Sequence, residues 1–201
     1  LILPNPKEDV KEFLGLIDTE TQNASKIISD LLDFTRIEPL DRSPTQVAEL
    51  VSVAIQQNPP PDNVSIQEDL SADLPPVFVN ARQIIQVLNN LIINAYQAMP
   101  NGGELRIETW SRATPSRHEP AESGNQILIK VKDTGMGIPP ENRKKIFEPL
   151  FTTKARGIGL GLAICKRLTE ANQAGIEVES QINRGTTFTI VFPEYKKNND
   201  E

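Results

Sequence analysis

Carboxamide side chains are crowded into QVLNNLIINAYQAM, residues 86–99, a segment that otherwise has the apolar spacing of a buried helix. At about 100° per residue, Leu88 and Leu91 share one face, and Asn90 and Asn94 lie one turn apart on a neighbouring stripe. An amide oxygen can ligate a hard cation such as Mg²⁺, which keeps waters and phosphate oxygens as its other ligands. The stripe therefore fits a cation and phosphate site, although a stripe of this kind taken alone is more often a solvated polar face.

The segment DTGMGIP, residues 133–139, follows the apolar strand QILIKVK directly. Gly135 and Gly137 allow the backbone to turn tightly and to approach a ligand. Asp133, at the end of the strand, can accept a hydrogen bond from an exocyclic amine such as that of adenine. By itself, the segment is more typical of a simple strand-to-helix turn with an Asx-type hydrogen bond.

Three spaced glycines, Gly157, Gly159 and Gly161, run into an amphipathic helix in GIGLGLAICKRL. Such glycines leave backbone amides free to bind phosphate at a helix N-terminus. The spacing is neither that of a Walker loop nor GxGxxG, and it fits a flexible lid equally well. Lys154, just upstream, either meets the terminal phosphates as a point charge or is a solvated loop charge.

Helices and strands alternate along the chain and must position these segments. From residue 7 to 38, apolar residues recur at helical spacing, with Val10, Ile17 and Leu31 on a heptad seam suited to a helix bundle. Further helices are predicted at residues 46–57, 86–99, 141–147 and 160–172. Extended segments are predicted at residues 64–70, 75–80, 104–110, 126–133, 175–181 and 185–192, the last two as a hairpin. We expect an α/β two-layer sandwich of a mixed sheet and helices, preceded by the long N-terminal helix.

Composition and charge argue against several functions. The net charge of -6 and pI near 5.0 disfavour a general affinity for nucleic acid. The single cysteine, Cys165, excludes an internal disulfide framework and a multi-cysteine zinc site. No apolar run approaches the ~20 residues of a membrane span, so we expect a soluble, cytoplasmic chain.

The four segments QVLNNLIINA, DTGMGIP, IFEPLFTTK with GIGLGLAI, and GTTFTIVFP occur in one order. Together they resemble the N, G1, F, G2 and G3 boxes of sensor histidine kinases, whose superfamily includes gyrase, mismatch-repair and heat-shock chaperone ATPases. The match covers about residues 45–193. The segment NAYQAMPNGGEL, together with EPLFTTK, looks most like the nitrogen-regulation type of histidine kinase.

This resemblance implies an ATP site in the α/β sandwich called the Bergerat fold. Asn94 would ligate the Mg²⁺ that bridges the phosphates, Asn90 would line the phosphate side, and Asp133 would hold the adenine amine. The other nucleotide-binding residues are then expected to be Gly135, Gly137, Lys154, Gly157, Gly159, Gly161 and Thr187. Hydrolysing relatives typically have a Glu at the position of Asn90, so the amide favours phosphoryl transfer over hydrolysis, because a carboxamide cannot take a proton.

The resemblance also implies a domain order. Residues 1–38 resemble the second helix of a dimerisation and histidine-phosphotransfer hairpin, 39–45 are a linker, 46–195 the ATP-binding domain and 196–201 a tail. The first helix, with its phosphoacceptor histidine, is missing, and the only histidine, His118, lies inside the nucleotide domain. We therefore expect a truncated kinase that uses Mg²⁺ and ATP to phosphorylate a histidine not present in the chain and does not phosphorylate itself.

The expected partners are ATP, the histidine of a phosphotransfer domain and the receiver domain of a response regulator. The resemblance also allows a homodimer and a membrane anchor in the parent protein. The chain departs from the family pattern at Ile158, where Thr or Ser is common, at Gln97, where Lys is frequent, and at NQAG, residues 172–175, where HGG is often found. The alternatives are an ATP hydrolase or anti-sigma-type serine kinase of the same fold, or a non-catalytic regulatory docking module.

Overall fold

A computed structural model describes residues 10–11, 13–18, 20–21, 25, 41–113, 125–154 and 157–195. The chain separates into two units, Leu1–Glu38 and Pro39–Glu201. Most of the predicted first helix, His118 and the predicted tail at 196–201 lie outside the described residues. None of the helices in the described ranges combines the length and the apolar composition that crossing a membrane requires.

The described residues of the first unit are all helical. The apolar side chains of Val10, Phe13, Leu14 and Ile17 are each more than half exposed. Two of them, Val10 and Ile17, lie on the predicted heptad seam. A seam of this kind is buried only when further helices pack against it.

A five-stranded mixed sheet forms one layer of the second unit, in the order β2-β4-β5-β7-β6. β2 runs parallel to β4, and the other neighbours are antiparallel. β1 and β3 form a separate two-stranded antiparallel sheet. The strands are β1 Ser43–Thr45, β2 Val64–Leu70, β3 Val77–Val79, β4 Gly103–Ala113, β5 Asn125–Asp133, β6 Gly175–Gln181 and β7 Gly185–Pro193.

Three helices form the second layer: α1 Val47–Gln57, α2 Ala81–Ala98 and α3 Gly161–Ala171. α2 contacts both other helices and the central strand β5. Its N-terminus is fixed by Asn80, whose side chain accepts a hydrogen bond from the Gln83 amide at 3.1 Å. Its apolar face carries Ile84, Leu88 and Leu91, each at most 1% exposed, and each such burial contributes on the order of 1.5–3 kcal/mol. The predicted two-layer architecture is confirmed.

Strand alternation separates the two faces of the sheet. In β5, Ile127, Ile129 and Val131 are buried beneath the helices, while Lys130 projects from the other face. There its ammonium lies 2.7 Å from Glu108. The helical face is therefore apolar, and the ends of β5 and β7 bring polar groups to its margin.

Two local predictions need correction. Residues 141–147, predicted as a helix, form consecutive turns in which most backbone bonds join residues three apart, such as the bond from Arg143 to Pro140 at 3.3 Å. A segment this short gains few bonds to offset the cost of helix nucleation, so helical spacing of its apolar residues does not secure a regular helix. In addition, the stretch 39–45, predicted as a linker, contains β1, whose Ser43 lies opposite Val79. A three-residue strand with Pro44 at its centre has no alternating pattern by which it could be recognised.

Candidate functional site

The carboxamides of α2 divide between two faces. Asn89 accepts a hydrogen bond from Asn58 Nδ2 at 2.7 Å and donates one to Gln57 Oε1 at 2.8 Å. These bonds tie α2 to the end of α1, so Asn89 is a packing residue. Asn90 and Asn94 lie on the other flank, next to the segment that leads into α3.

Lys154 reaches across to this second flank. Its ammonium donates a hydrogen bond to Asn94 Oδ1 at 2.7 Å and a further one to Gln97 Oε1. Desolvation by its neighbours lowers the pKa of Lys154 below the usual lysine value, although much of its side chain remains exposed. The structure thus brings together Asn94 and Lys154, two of the predicted site residues, and places a positive charge on the amide oxygen that was predicted to bind a cation.

The Lys154 loop, of which the structure describes residues 150–154 and 157–159, is held by its own short-range bonds. The Lys154 amide donates to Thr152 Oγ1 at 3.0 Å, and the Gly157 amide donates to the Lys154 carbonyl at 3.2 Å. The loop is closed where the Leu150 amide donates to the Gly159 carbonyl at 3.0 Å. Gly159 has φ +76°, and a Cβ there would lie 2.4 Å from a carbonyl oxygen, so only glycine fits.

The N-terminus of α3 faces Asn90. A Cβ built on Gly161, the first residue of α3, would lie 3.5 Å from Asn90 Oδ1, so the two residues are neighbours. The preceding residue, Leu160, offers no side-chain cap to the first turn of the helix. The first amides of a helix have no partner within it, and they carry the positive end of the helix dipole. This end of α3 can therefore bind an anion beside Asn90.

Asp133 ends β5 in a buried position, with 4% of its surface exposed. Its Oδ1 accepts hydrogen bonds from the Gly135 amide at 2.8 Å and from the Thr186 amide at 3.2 Å. Burial raises the pKa of Asp133 above its usual value, and the two amide bonds oppose that rise. Among the contacts of the described residues, both donors engage Oδ1, which leaves Oδ2 to accept from a ligand amine.

The turn after Asp133 is pinned between α2 and the β6–β7 hairpin. The Met136 amide donates to the Ala98 carbonyl at 3.1 Å, and the Asn183 amide donates to the Met136 carbonyl at 2.8 Å. Gly137 has φ +72°, and a Cβ there would lie 2.1 Å from the Gln181 carbonyl oxygen. The bond from the Gly135 amide to Asp133 Oδ1 makes this an Asx-type turn, as the simpler interpretation of DTGMGIP predicts. The turn also buries the carboxylate.

The structure places Thr186, and not the predicted Thr187, beside Asp133. Thr186 is 5% exposed and shares the buried face of β7. Thr187 lies opposite Lys132 and Glu179, both exposed, on the other face of the sheet. Alternation along β7, counted back from the buried Phe188, would have identified Thr186 from the sequence.

α2 forms a common wall for all these groups. Going back from its end, Ala98 contacts the turn after Asp133, Gln97 and Asn94 hold Lys154, and Asn90 faces the start of α3. At 1.5 Å per residue, these contacts extend over about 12 Å. A buried carboxylate, the Lys154 ammonium and an uncapped helix N-terminus therefore lie along one helix.

The donor set at Asn94 fits Mg²⁺. Its amide oxygen already accepts from the Lys154 ammonium, which stands in the place of a cation. The residues that the structure describes contain no cluster of three or more His, Cys, Asp or Glu side chains that could hold a metal. Mg²⁺ commonly binds through one or two protein oxygens together with waters and substrate phosphates, and Asn94 offers one such oxygen.

Comparison with protein families matches residues 79–196 to the histidine kinase-, DNA gyrase B- and HSP90-like ATPases. Among curated relatives, the signal transduction histidine-protein kinase AtoS of Escherichia coli K12 is 35% identical over 186 residues, which are 91% of this chain and 29% of AtoS. Sporulation kinase E of Bacillus subtilis 168 is 30% identical over 92% of this chain and 24% of its own length. The chain therefore spans less than a third of the length of these relatives.

Solved structures agree on the fold. The catalytic domain of histidine kinase ThkA is 26% identical, with a TM-score of 0.60, over 77% of this chain and 96% of that domain. ThkA in complex with the response regulator TrrA is 25% identical, with a TM-score of 0.71, over 96% of this chain and 53% of that one. Full-length ShkA with AMPPNP is 22% identical, with a TM-score of 0.72, over 98% of this chain and 41% of ShkA, and supports the fold alone. The second unit has the Bergerat fold of the histidine kinase ATPases.

Proposed function

Because the chain belongs to the family of histidine kinase-, DNA gyrase B- and HSP90-like ATPases, we propose that it is the ATP-binding catalytic portion of a two-component sensor histidine kinase. It transfers the γ-phosphoryl group of Mg-ATP to a histidine supplied by another segment or chain. The observation that carries this proposal is the arrangement along α2, with buried Asp133 near its end and the amide of Asn90 against Gly161.

Adenine recognition is assigned to Asp133. Its carboxylate is fixed by the amides of Gly135 and Thr186, so it meets the exocyclic amine without having to reorganise. A buried acceptor of this kind favours a base that carries an amine and disfavours one that carries a carbonyl, because the second would leave the carboxylate unpaired. The site is accordingly specific for adenine nucleotides over guanine nucleotides.

The phosphates are assigned to the uncapped start of α3 and to the Lys154 loop. The free amides and the dipole of α3 attract the phosphate oxygens, and Lys154 adds a point charge. Asn94 would hold Mg²⁺, which neutralises charge on the phosphates when it is bound. Phosphoryl transfer depends mainly on this kind of positioning and charge stabilisation.

Transfer is favoured over hydrolysis because the residue facing Gly161 is an amide. A general base on water must accept a proton, which Asn90 cannot do. An acceptor imidazole brings its own lone pair: its nitrogen attacks the γ-phosphorus in line, the bond to the bridging oxygen breaks, and ADP leaves. The alternative of an ATP hydrolase of the same fold therefore lacks a base at this position.

The wider signalling role is part of the same proposal. ThkA, which resembles this chain, has been solved in complex with a response regulator. We infer that the parent protein passes its phosphoryl group to a receiver domain, and that the exposed apolar seam of the first unit packs against partner helices in a homodimer. The nitrogen-regulation type suggested by NAYQAMPNGGEL remains a prediction.

A phosphotransfer assay tests the function. The chain is incubated with Mg²⁺, γ-labelled ATP and a purified phosphotransfer hairpin of a similar histidine kinase, and the phosphate is tested for stability in acid and base. We expect acid-labile, base-stable phosphate on the hairpin and none on the chain itself. With the Asp133→Ala variant, the hairpin should stay unlabelled. With Thr189→Ala, whose side chain lies on the opposite face of the sheet, the hairpin should be labelled as it is with the wild type. ATP binding without any hairpin label would refute the kinase assignment.

A further inference from the structure

Gln97 is the second acceptor for the Lys154 ammonium. Asn94 and Gln97 lie three residues apart on α2 and so project side by side, and both of their side-chain oxygens accept from the same ammonium. A Lys at position 97 would repel the Lys154 ammonium, whereas the side-chain oxygen of Gln97 attracts it. The position of the Lys154 ammonium therefore depends on the side chain at position 97 as well as on Asn94.

The ammonium and a bound Mg²⁺ compete for Asn94. In the structure, Asn94 Oδ1 lies 2.7 Å from Lys154 Nζ. A dication on the same oxygen would lie within a few ångströms of the ammonium, and the two charges would repel strongly. Gln97 Oε1 alone would then be too weak a partner to keep the ammonium beside the metal, while the phosphates offer opposite charge.

The loop allows Lys154 to change partners without unfolding. The backbone of Lys154 is held by Thr152 Oγ1 and by the Gly157 amide, and neither bond involves its side chain. Its long stem can therefore rotate while these two bonds persist. When Lys154 changes partners, its ammonium loses the two hydrogen bonds to Asn94 and Gln97. Gln97 can be substituted without changing Asn94, the proposed metal ligand.

We propose that Gln97 is a positioning residue that, with Asn94, holds the Lys154 ammonium as the resident cation of the nucleotide-free site, and that Mg-ATP displaces this ammonium toward the phosphates. This inference rests on the proposed function. In the free protein, the contact fixes the Lys154 loop against α2 and keeps the Asn94 oxygen oriented. When Mg-ATP arrives, one positive charge replaces another on Asn94, and Lys154 becomes a phosphate contact.

Hydrogen–deuterium exchange of the loop tests the inference, because its amides report whether the loop is held against α2. The wild-type chain and Gln97→Leu are compared without nucleotide and at saturating Mg-AMPPNP. Without nucleotide, we expect the amides of residues 157–159 to exchange at least about threefold faster in Gln97→Leu. With Mg-AMPPNP, the two proteins should exchange equally, because Lys154 no longer contacts Gln97.

Two further variants sharpen the result. Gln97→Lys replaces attraction with repulsion and should loosen the nucleotide-free loop at least as much as Gln97→Leu. Gln56→Leu removes a carboxamide from an exposed position on α1 and should leave loop exchange unchanged.

The possible outcomes separate cleanly. Equal exchange of wild type and Gln97→Leu without nucleotide overturns the inference. A difference that persists at saturating nucleotide means that Gln97 has only a structural role, and this also overturns it. Calorimetry on the same samples distinguishes a failure of the proposed function: absence of nucleotide binding overturns that function and the displacement with it, whereas binding with an unchanged difference overturns the displacement alone.

Discussion

The backbone amide of Thr186 lies 3.2 Å from Asp133 Oδ1, which joins the first residues of β7 to the last residue of β5. The bond fixes a buried carboxylate at the margin of the helical face of the sheet. The turn after Asp133 is fixed to the end of α2, because the Met136 amide donates to the Ala98 carbonyl. The geometry of the proposed adenine site thus depends on strand register as well as on the local DTGMGIP turn.

Removal of the Asp133 carboxylate should abolish or strongly weaken ATP binding. A hydrogen bond to a charged group contributes about 1.5–3 kcal/mol, which corresponds to roughly a 10- to 100-fold loss of affinity in Asp133→Ala. Displacement of a fluorescent nucleotide measures the change. Thr189→Ala, on the far face of β7, is the control and should bind as the wild type does. A variant at Asp133 with unchanged affinity would remove this residue from the site.

The pH dependence of stability should reveal the buried carboxylate. Burial raises the folded pKa of Asp133 above the ordinary value of 3.8, so the folded state binds the proton more tightly than the unfolded state. Its contribution to stability is therefore fully present below pH 3.8 and is lost as pH rises through the raised folded pKa. Asp133→Asn lacks this titration.

Urea unfolding of wild type and Asp133→Asn between about pH 3.5 and 7 measures this contribution. We expect the free energy of unfolding of Asp133→Asn to increase relative to wild type as the pH rises, because only the wild type acquires a buried charge. A relative change in the opposite direction would mean that the two amide bonds outweigh burial.

Gly137→Ala should destabilise the second unit. The residue has φ +72°, and an added Cβ would lie 2.1 Å from the Gln181 carbonyl oxygen, so the turn has to shift. The strain of such a backbone conformation is about 1–3 kcal/mol before the clash is counted. Thermal unfolding should show a midpoint lower by several degrees. The matched control is Gly175→Ala, where an added Cβ meets no atom within 4 Å; an equal loss in both variants would contradict the steric explanation.

Asn90→Glu should convert part of the activity to ATP hydrolysis. Glu supplies a base beside the start of α3, and a positioned base contributes typically 10²–10⁴-fold. We expect phosphate release at least about tenfold above wild type, at the low end of that range. Asn90→Gln has the same side-chain length as Asn90→Glu but supplies no base, so its phosphate release should stay at the wild-type rate. Equal rates in the two variants would mean that position 90 does not decide between transfer and hydrolysis.

The sequence predicted most of what depends on local pattern. The apolar face of α2, the strand that ends in Asp133 and the β6–β7 hairpin all follow from periodicity, and they are confirmed. The prediction of Thr187 is one residue off, because the GTTF motif alone does not distinguish the two threonines. Strand alternation places Thr186 on the buried face.

Contacts distant in sequence were harder to predict. The bond between Lys154 and Asn94 joins residues sixty positions apart, and no local pattern encodes it. The type of residue 97 does not indicate which group it contacts, and its role as an acceptor for Lys154 follows from the loop geometry. β1 was missed because its three residues include a proline and pair with another three-residue strand far along the chain.

Calorimetric titration of the chain with ATP, once with Mg²⁺ and once with EDTA, tests the central claim most directly. The proposed site joins an adenine acceptor, Asp133, to a metal ligand, Asn94. We expect saturable binding at one site, tighter with Mg²⁺ than with EDTA, and loss of that Mg²⁺-dependent gain in Asn94→Ala. Absence of saturable binding under both conditions would contradict the assignment of an ATP site along α2.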